Sequence, residues 1–418
     1  MTPSTPRPLE GLRVLDVATI LAGPVTATFL AEFGAEVIKV ELPGSGDTAR
    51  EGPTLAPGLS LLWLQEGRNK KSITLDLHKE EGQALLKRLV AVSDVMIENF
   101  RPGTLEQWNL APETLLEINP RLVLARISGY GQTGPYRRKG AFDRMATAFG
   151  GGLYVTGYPD APPVRPGFAV ADYMSGYVGA FGVITALYWR DARGVPLNVA
   201  GRTEPRAPQR GGRGQVIDLA IYEPVLRASE NSIPAYDRYD VIRERSGNCN
   251  PYIVPSSSFP AADGKWVVIG ANTERLWRRL AAAIGRADMI EDERYATLSA
   301  RTANSEGVYA ALEEWTRSKT AAEIIAVLDE AQVPAAPINS VADLFTDPHI
   351  QARENIVRVP DERVGALAIP GIVPKLSATP GRIEHLGPDL GGNNDEIYGG
   401  LLGLSAAEIA VLKERGVI

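Results

Sequence analysis

The sequence predicts an α/β fold, an open and doubly wound parallel sheet with a second, smaller unit, on three observations. Short apolar runs alternate with helix-length amphipathic stretches through the first 190 residues. The connections between these runs are long enough for right-handed crossovers. The chain, at 418 residues, also exceeds the roughly 250–300 residues at which a single core stops growing.

The elements follow in order. Arg13 to Ala18 (RVLDVA) reads as the first strand, and Gly23-Pro24 opens a helix that ends near Phe33-Gly34. Glu36 to Glu41 (EVIKVE) is the second strand, which completes a βαβ unit. Ile73, Leu75 and Leu77 alternate as a strand does, and Gly82 to Val92 puts Leu85, Leu86, Leu89 and Val92 on one helical face. Val95 to Glu98 and Leu122 to Ile127 are further strands. Asp172 to Leu187 is a helix of small and apolar residues. Gly176, Gly179, Ala180 and Gly182 recur there at helical spacing, so its backbone packs close to a neighbour. Residues 191–213 carry Arg193, Arg202, Arg206, Arg210 and Arg213 among Pro and Gly, which fits a solvated loop or a phosphate-binding arm. A strand resumes at Gln215 to Ile221. Residues 222–345 place helices around a strand at Lys265 to Gly270 and form the second unit. The tail ends in a helix, Ala406 to Lys413, capped by Ser405.

Composition excludes several classes. With 44% apolar and 22% charged residues the chain is not disordered, and a net charge of -6 offers no cationic excess to coat nucleic acid. The lone Cys249 forbids an internal disulfide and a cysteine-rich metal site. His78, His349 and His385 form no paired metal motif, so no metal is expected. The N-terminus lacks a signal-type apolar run, and no run of about 18 apolar residues marks a membrane span. The expected location is the cytoplasm.

Gly129-Tyr130-Gly131-Gln132-Thr133-Gly134 matches the dinucleotide fingerprint G-x-G-x-x-G, but Pro135 and the basic Arg137-Arg138-Lys139 follow where a helix should open. As a glycine turn beside cations it suits phosphates equally. Ser175 has Tyr173, not Gly, two places before it, so no hydrolase elbow exists. Cys249 has no identifiable His partner and reads more readily as structural. Asp172, at the start of the glycine-rich helix, serves either as a helix cap or as a carboxylate nucleophile that needs no partner base. In the second case the helix N-terminus would keep it ionised.

With those residues in view, the chain resembles the family III CoA-transferases. The likeness rests on Leu9-Glu10-Gly11-Leu12-Arg13-Val14-Leu15-Asp16, Ala22-Gly23-Pro24, Phe33-Gly34-Ala35-Glu36-Val37-Ile38-Lys39-Val40-Glu41 and Asn69-Lys70-Lys71-Ser72-Ile73. It continues through Glu98-Asn99-Phe100-Arg101-Pro102-Gly103, Ile118-Asn119-Pro120-Arg121 and Gly212-Arg213-Gly214-Gln215. The resemblance implies that Asp172 carries the acyl group. It implies CoA contacts at Ala22, Leu75, Asp76, His78, Asn99, Phe100, Arg101, Lys139 and Asp143. It further implies a Rossmann-like large domain (1–200, with 331–418 returning to complete it), a linker at 201–224, a smaller α+β domain at 225–330, and an interlocked homodimer. Coenzyme A thioester is a substrate and no other cofactor is implied. Lys70, Lys71, Arg101, Arg137, Arg138 and Lys139 are the cations offered to its phosphates.

Within the family the likeness is to succinyl-CoA-dependent enzymes acting on malate, citramalate or related dicarboxylates. It is carried by Trp63-Leu64-Gln65-Glu66-Gly67-Arg68-Asn69-Lys70, Ser128 to Arg137 and Val373-Pro374-Lys375-Leu376-Ser377. Arg50, Arg68, Arg144 and Arg245 are candidates for the second carboxylate. Three departures stand out: Ser246 to Tyr252 replaces a run of glycines, Gln107 replaces a basic residue of some relatives, and Asn393 replaces a histidine of many. Racemases of the same fold need a proton-carrying His where this chain has Phe142, which favours transfer.

Overall fold

The computed structural model describes residues 7–51, 59–191 and 212–418. The arginine-rich segment at 194–210, expected as a loop, lies outside the described residues. Two compact units emerge. One draws its described residues from Met1–Gly152, Pro166–Asn231 and Glu354–Ile418, the other from Leu153–Arg165 and Ser232–Arg353.

Six parallel strands build the first unit: β1 (Arg13–Asp16), β2 (Glu36–Glu41), β3 (Lys70–Thr74), β4 (Val95–Glu98), β5 (Val123–Ser128) and β6 (Val216–Ala220). Their spatial order is β3-β2-β1-β4-β5-β6, with every pair parallel. That order is the doubly wound one, and its strand sequence reverses between β1 and β4. Neighbouring residues on each strand feed opposite faces. Leu15, Ile38, Met96 and Leu124 enter one core, while Val14, Val37, Val95 and Val123 enter the other. Both faces must therefore be covered, which is why these strands read as unbroken apolar runs.

The helices that cover them are α1 (Ala22–Glu32), α2 (Leu61–Glu66), α3 (Glu80–Ala91), α4 (Thr104–Gln107), α5 (Pro112–Ile118), α6 (Asp143–Phe149) and α7 (Val170–Asp191). In α3, Leu85, Leu86, Leu89 and Val90 face the first core. In α7 the buried stripe Ser175, Gly176, Gly179, Val183, Ala186 and Leu187 lies against α1 and the β5–β6 edge. A Cβ on Gly176 would fall 2.4 Å from Val25 Cγ1, and one on Gly179 2.5 Å from Thr26 Oγ1. The small residues thus exist to let two helix backbones meet. Although the sequence has no uninterrupted apolar run of membrane length, α7 qualifies by length and composition, with 22 residues and a mean hydropathy of 1.2.

Strand β3 begins earlier than its alternation suggests and ends before Leu75 and Leu77. Beyond Thr74 the backbone makes one last bond, Leu75 N–H to the Glu41 carbonyl, and then leaves the sheet. The edge of β3 is capped by the chain's end: Asn393 and Asn394 accept from the Ser72 and Thr74 N–H groups at 2.9 Å each. Covering that edge removes a template for pairing with other chains.

The division expected from the sequence needs correction. Residues 216–220 are a sheet strand, not part of a linker. Val225 belongs to the second core of the first unit, so that unit extends past 225 to Asn231. The second unit runs on to Arg353, because Ala335–Pro337 pairs with Trp266–Gly270, which pairs with Ser256–Pro260. This three-stranded antiparallel sheet is covered by helices such as Glu274–Ala283, Ser305–Arg317 and Ala321–Glu330, with Trp277, Leu280, Leu312 and Ile324 in its core.

Candidate active site

Ligands of an open α/β sheet bind outside the carboxyl ends of the strands, where the order reverses. Here that place is the pair of turns after β1 and β4. Thr19 N–H donates to Asn99 Oδ1 at 2.8 Å, and Asn99 Nδ2 returns a bond to the Thr19 carbonyl at 2.7 Å. Ile20, with φ +66°, sits in the left-handed region that a β-branched residue avoids. Asp47 holds it there, accepting from the Ile20 N–H at 3.0 Å. Lys39 in turn grips Asp47 at 2.8 Å and the Ala18 carbonyl, while Lys70 bonds Asp16 at 2.9 Å and the Pro24 carbonyl at 2.8 Å. All four side chains are buried. Burial works to lower Lys39, but Asp16 and Asp47 outweigh it and hold the amine above its usual range; in Lys70 burial wins and lowers it.

Above this network opens a cavity of about 430 Å³. Leu75, His78 and Phe100 line it, together with Trp108, against which the His78 and Phe100 rings both stand edge-on at 5.0 Å. Asp76 fixes His78 through an Nδ1 contact of 2.8 Å. Phe100 is set by Glu98, which accepts from its N–H at 2.7 Å. Burial pushes Glu98 up to about 7, against the pull of Arg126 at 2.7 Å. Ala22 is the buried first residue of α1, and its carbonyl lies beside Gly176, one turn beyond Asp172. Arg101 approaches Gly140, so the turn after β4 meets the loop after β5; Lys139 lies over the Tyr136 ring at 3.7 Å.

Asp172 does not cap its helix. Helix α7 starts two residues earlier, at Val170, and the capping oxygen comes from Asp143, the first residue of α6. Asp143 Oδ1 accepts from the Ala171 N–H at 2.7 Å and the Asp172 N–H at 3.3 Å. Among the described residues no donor bonds the Asp172 carboxylate. Burial, and then the neighbouring Asp143 carboxylate, push it up to about 7. Both effects run against the sequence reading of an Asp kept ionised by the helix end. The next residue, Tyr173, is held by its hydroxyl, which donates to Glu66 at 3.0 Å.

The chain matches the model of CoA-transferase family III over residues 9–200 and 205–394. It belongs to that family. It is 44% identical to a succinyl-CoA–D-citramalate CoA-transferase of Chloroflexus aurantiacus, over 99% of this chain and 98% of that one. It is likewise 44% identical to the beta subunit of a succinyl-CoA–L-malate CoA-transferase from the same organism, over 99% of each. A crystal structure of a CaiB/BaiF family protein from Brucella suis superposes with a TM-score of 0.81 at 33% identity, covering 94% of this chain and 99% of that one.

In this family III chain several cations expected to serve the ligand are already engaged. Lys70 is sealed against Asp16, and Lys71 pairs with Glu36 at 2.7 Å and Glu396 at 2.6 Å, so neither is free for phosphate. Arg50 pairs with Glu41 at 2.6 Å and lies on Trp63, and Arg68 is buried against Glu32 at 2.6 Å. Among the described residues, Arg101, Arg137, Arg138 and Arg144 are exposed with no acidic partner. Arg245 donates to the Tyr154 and Tyr158 carbonyls and also has no acidic partner. Ser246 to Tyr252, which replaces the run of glycines, is anchored by the Gly247 N–H on the Gly157 carbonyl at 2.9 Å. Asp47, Glu98 and Trp108 are the positions that sequence reasoning missed. A signal existed for Asp47: an acid in the glycine turn Gly44-Ser45-Gly46-Asp47, directly past the second strand of a βαβ unit.

Proposed function

We propose that this CoA-transferase moves CoA from succinyl-CoA to a dicarboxylate such as malate, citramalate or a relative, through an aspartyl-CoA thioester on Asp172. The observation that carries the reading is the Asp172 carboxylate itself: partly buried, bonded by no donor among the described residues, and standing at the start of a helix that adjoins the turn after β1. The names of the relatives supply the substrate class. Ala22, Leu75, Asp76, His78, Asn99, Phe100, Arg101, Lys139 and Asp143 are the proposed CoA surroundings. Leu75, His78 and Phe100 take its apolar or ring portion, and Arg101 and Lys139, with Arg137 and Arg138, lie toward its phosphates.

An Asp172 oxygen attacks the thioester carbonyl carbon, the C–S bond breaks, and its electron pair leaves on sulfur as the CoA thiolate. The mixed anhydride is then opened by that thiolate at the aspartyl carbonyl, which releases succinate and leaves CoA on Asp172. The acceptor carboxylate runs the two steps in reverse. A carboxylate is a better leaving group than a thiolate by roughly 4–5 pKa units, so the sulfur must stay beside the anhydride, and water must be kept out. Coenzyme A thioester is the only cofactor-sized species the scheme needs.

Phe142, at the N-terminal edge of α6 and exposed, has no proton to exchange, which argues against racemisation of an acyl-CoA. An interlocked homodimer in the cytoplasm completes the proposal; the exposed Tyr177, Phe181 and Tyr188 on α7 are apolar surface consistent with a covered face. The assay is a panel of free dicarboxylic acids incubated with succinyl-CoA and read by mass spectrometry. New acyl-CoA products from dicarboxylates support the assignment. Deuterium uptake into acyl-CoA from heavy water without transfer would replace it with the racemase reading.

A further inference from the structure

We propose that Asp143 is a positioning residue for Asp172, seating the first turn of α7 with its oxygen and repelling the nucleophile's carboxylate with its charge. The inference rests on the reading of Asp172 as the acyl carrier. It begins from an unsatisfied helix end. The first N–H groups of any α-helix lack intrahelical partners, and a side-chain oxygen just before the helix ordinarily accepts them. Phe168 and Ala169, which precede α7, offer none. The missing oxygen comes from 28 residues upstream, where Asp143 Oδ1 takes the Ala171 N–H at 2.7 Å and the Asp172 N–H at 3.3 Å. The nucleophile's own backbone is thus fixed by this one side chain.

Capping alone does not call for a charge, because Asn or Ser caps about as well as Asp. The charge has a second effect. Neither carboxylate forms an ion pair with a described Lys, Arg or His, and Asp143 stands next to the part of α7 that carries Asp172. The other acids around this part of α7 are occupied elsewhere: Glu66 takes the Tyr173 hydroxyl, and Glu223 takes the Ala220 N–H. Glu32 and Arg68 pair with each other, and Arg144 on α6 is exposed. Asp143 is the one charge among the described residues that bears on Asp172, and it acts with burial to keep that carboxyl protonated well above its ordinary range.

Acylation relieves that repulsion. When an Asp172 oxygen bonds the acyl carbon and the C–S electron pair departs on the thiolate, Asp172 passes from a charge of minus one to neutral. The pair then holds one charge in place of two. Release of the acyl group in the last step restores both. Asp143 therefore raises the energy of the free carboxylate and not of the acylated one, which favours attack.

Two variants separate the effects. Asp143→Asn keeps an accepting oxygen for α7 and drops the charge, whereas Asp143→Ala drops both and loses thermal stability that Asp143→Asn retains. The readout is the infrared carbonyl band of a protonated carboxyl that is present in the wild type and missing from Asp172→Asn. Its titration midpoint falls near 7 in the wild type and about one pH unit lower in Asp143→Asn, since a like charge has gone. The acidic limb of transfer moves with it, and kcat at the plateau falls. Loss of transfer in Asp172→Asn together with an unmoved midpoint and limb in Asp143→Asn overturns the role of Asp143 alone. Transfer that survives in Asp172→Asn overturns the acyl-carrier reading and this inference with it.

Discussion

Two sets of charge flank the carboxyl end of the sheet, and they are built on opposite rules. Beneath the turn after β1, two lysines meet two aspartates: Lys39 with Asp47 and Lys70 with Asp16, the amines also bonded to the Ala18 and Pro24 carbonyls. Positive and negative charges match in number, and the network holds Ile20 in a conformation it would otherwise avoid. At the start of α7 two aspartates meet with no cation paired to either among the described residues. The first set spends its charges on geometry. The second has no cation to compensate it, and the carboxylate proposed to react is one of its two members. Buried charge that is matched marks scaffold; charge that is unmatched marks chemistry.

The comparison can be broken in several ways, and the largest effect belongs to the unmatched set. Asp172→Asn should lower transfer by about 10⁴-fold, as loss of a covalent nucleophile does elsewhere, while leaving the fold and CoA-ester affinity in place. Isothermal titration and turnover measured on the same sample decide between loss of chemistry and loss of binding.

The matched set should answer in stability. Lys70→Met leaves Asp16 buried without its amine and should cost about 3–5 kcal/mol, read as a lower denaturant midpoint. A cost below about 1 kcal/mol, the range of exposed pairs, would show that the network is not the scaffold claimed. Gly176→Ala tests the helix contact on which both sets depend. Its Cβ would meet Val25 at 2.4 Å, so about 1–3 kcal/mol of overpacking is expected in chemical denaturation.

The smallest effect is the most diagnostic in sign. In the folded chain burial and the Asp143 carboxylate push the Asp172 carboxyl up to about 7, against 3.8 for an unperturbed carboxyl. Between those values the folded state binds the extra proton, so the wild type loses stability as pH rises through that window. Asp172→Asn has no such proton to lose. Its melting temperature should exceed that of the wild type at pH 8, and the difference should shrink to nothing near pH 4. An advantage that grows toward acid would mean that the carboxylate is stabilised by partners, as in the matched set.

Much of the scaffold was legible in the sequence, and the reason is periodicity. Strands buried on both faces show as continuous apolar runs, so β2 and β4 were bounded to the residue, and the glycine spacing of α7 announced a close helix contact. The candidate nucleophile Asp172 was singled out by its place at a glycine-rich helix and by the likeness to a family. What could not be read was pairing across the fold. Lys70 and Lys71 looked like phosphate cations because nothing local shows that Asp16, Glu36 and Glu396 claim them. That Asp143 caps a helix could not be read either, because the helix end it serves lies 28 residues away. The boundaries of the second unit failed for the same reason: Ala335–Pro337 belongs with a strand formed some 70 residues earlier, a pairing that local pattern does not record.

The central claim is that Asp172 becomes acylated during turnover. The direct measurement is to quench the enzyme with hydroxylamine during reaction with succinyl-CoA and map the modified peptide by mass spectrometry. A hydroxamate on Asp172, dependent on succinyl-CoA and missing from Asp172→Asn, is the predicted result. A hydroxamate on another residue, or transfer that proceeds with none on Asp172, would contradict the account.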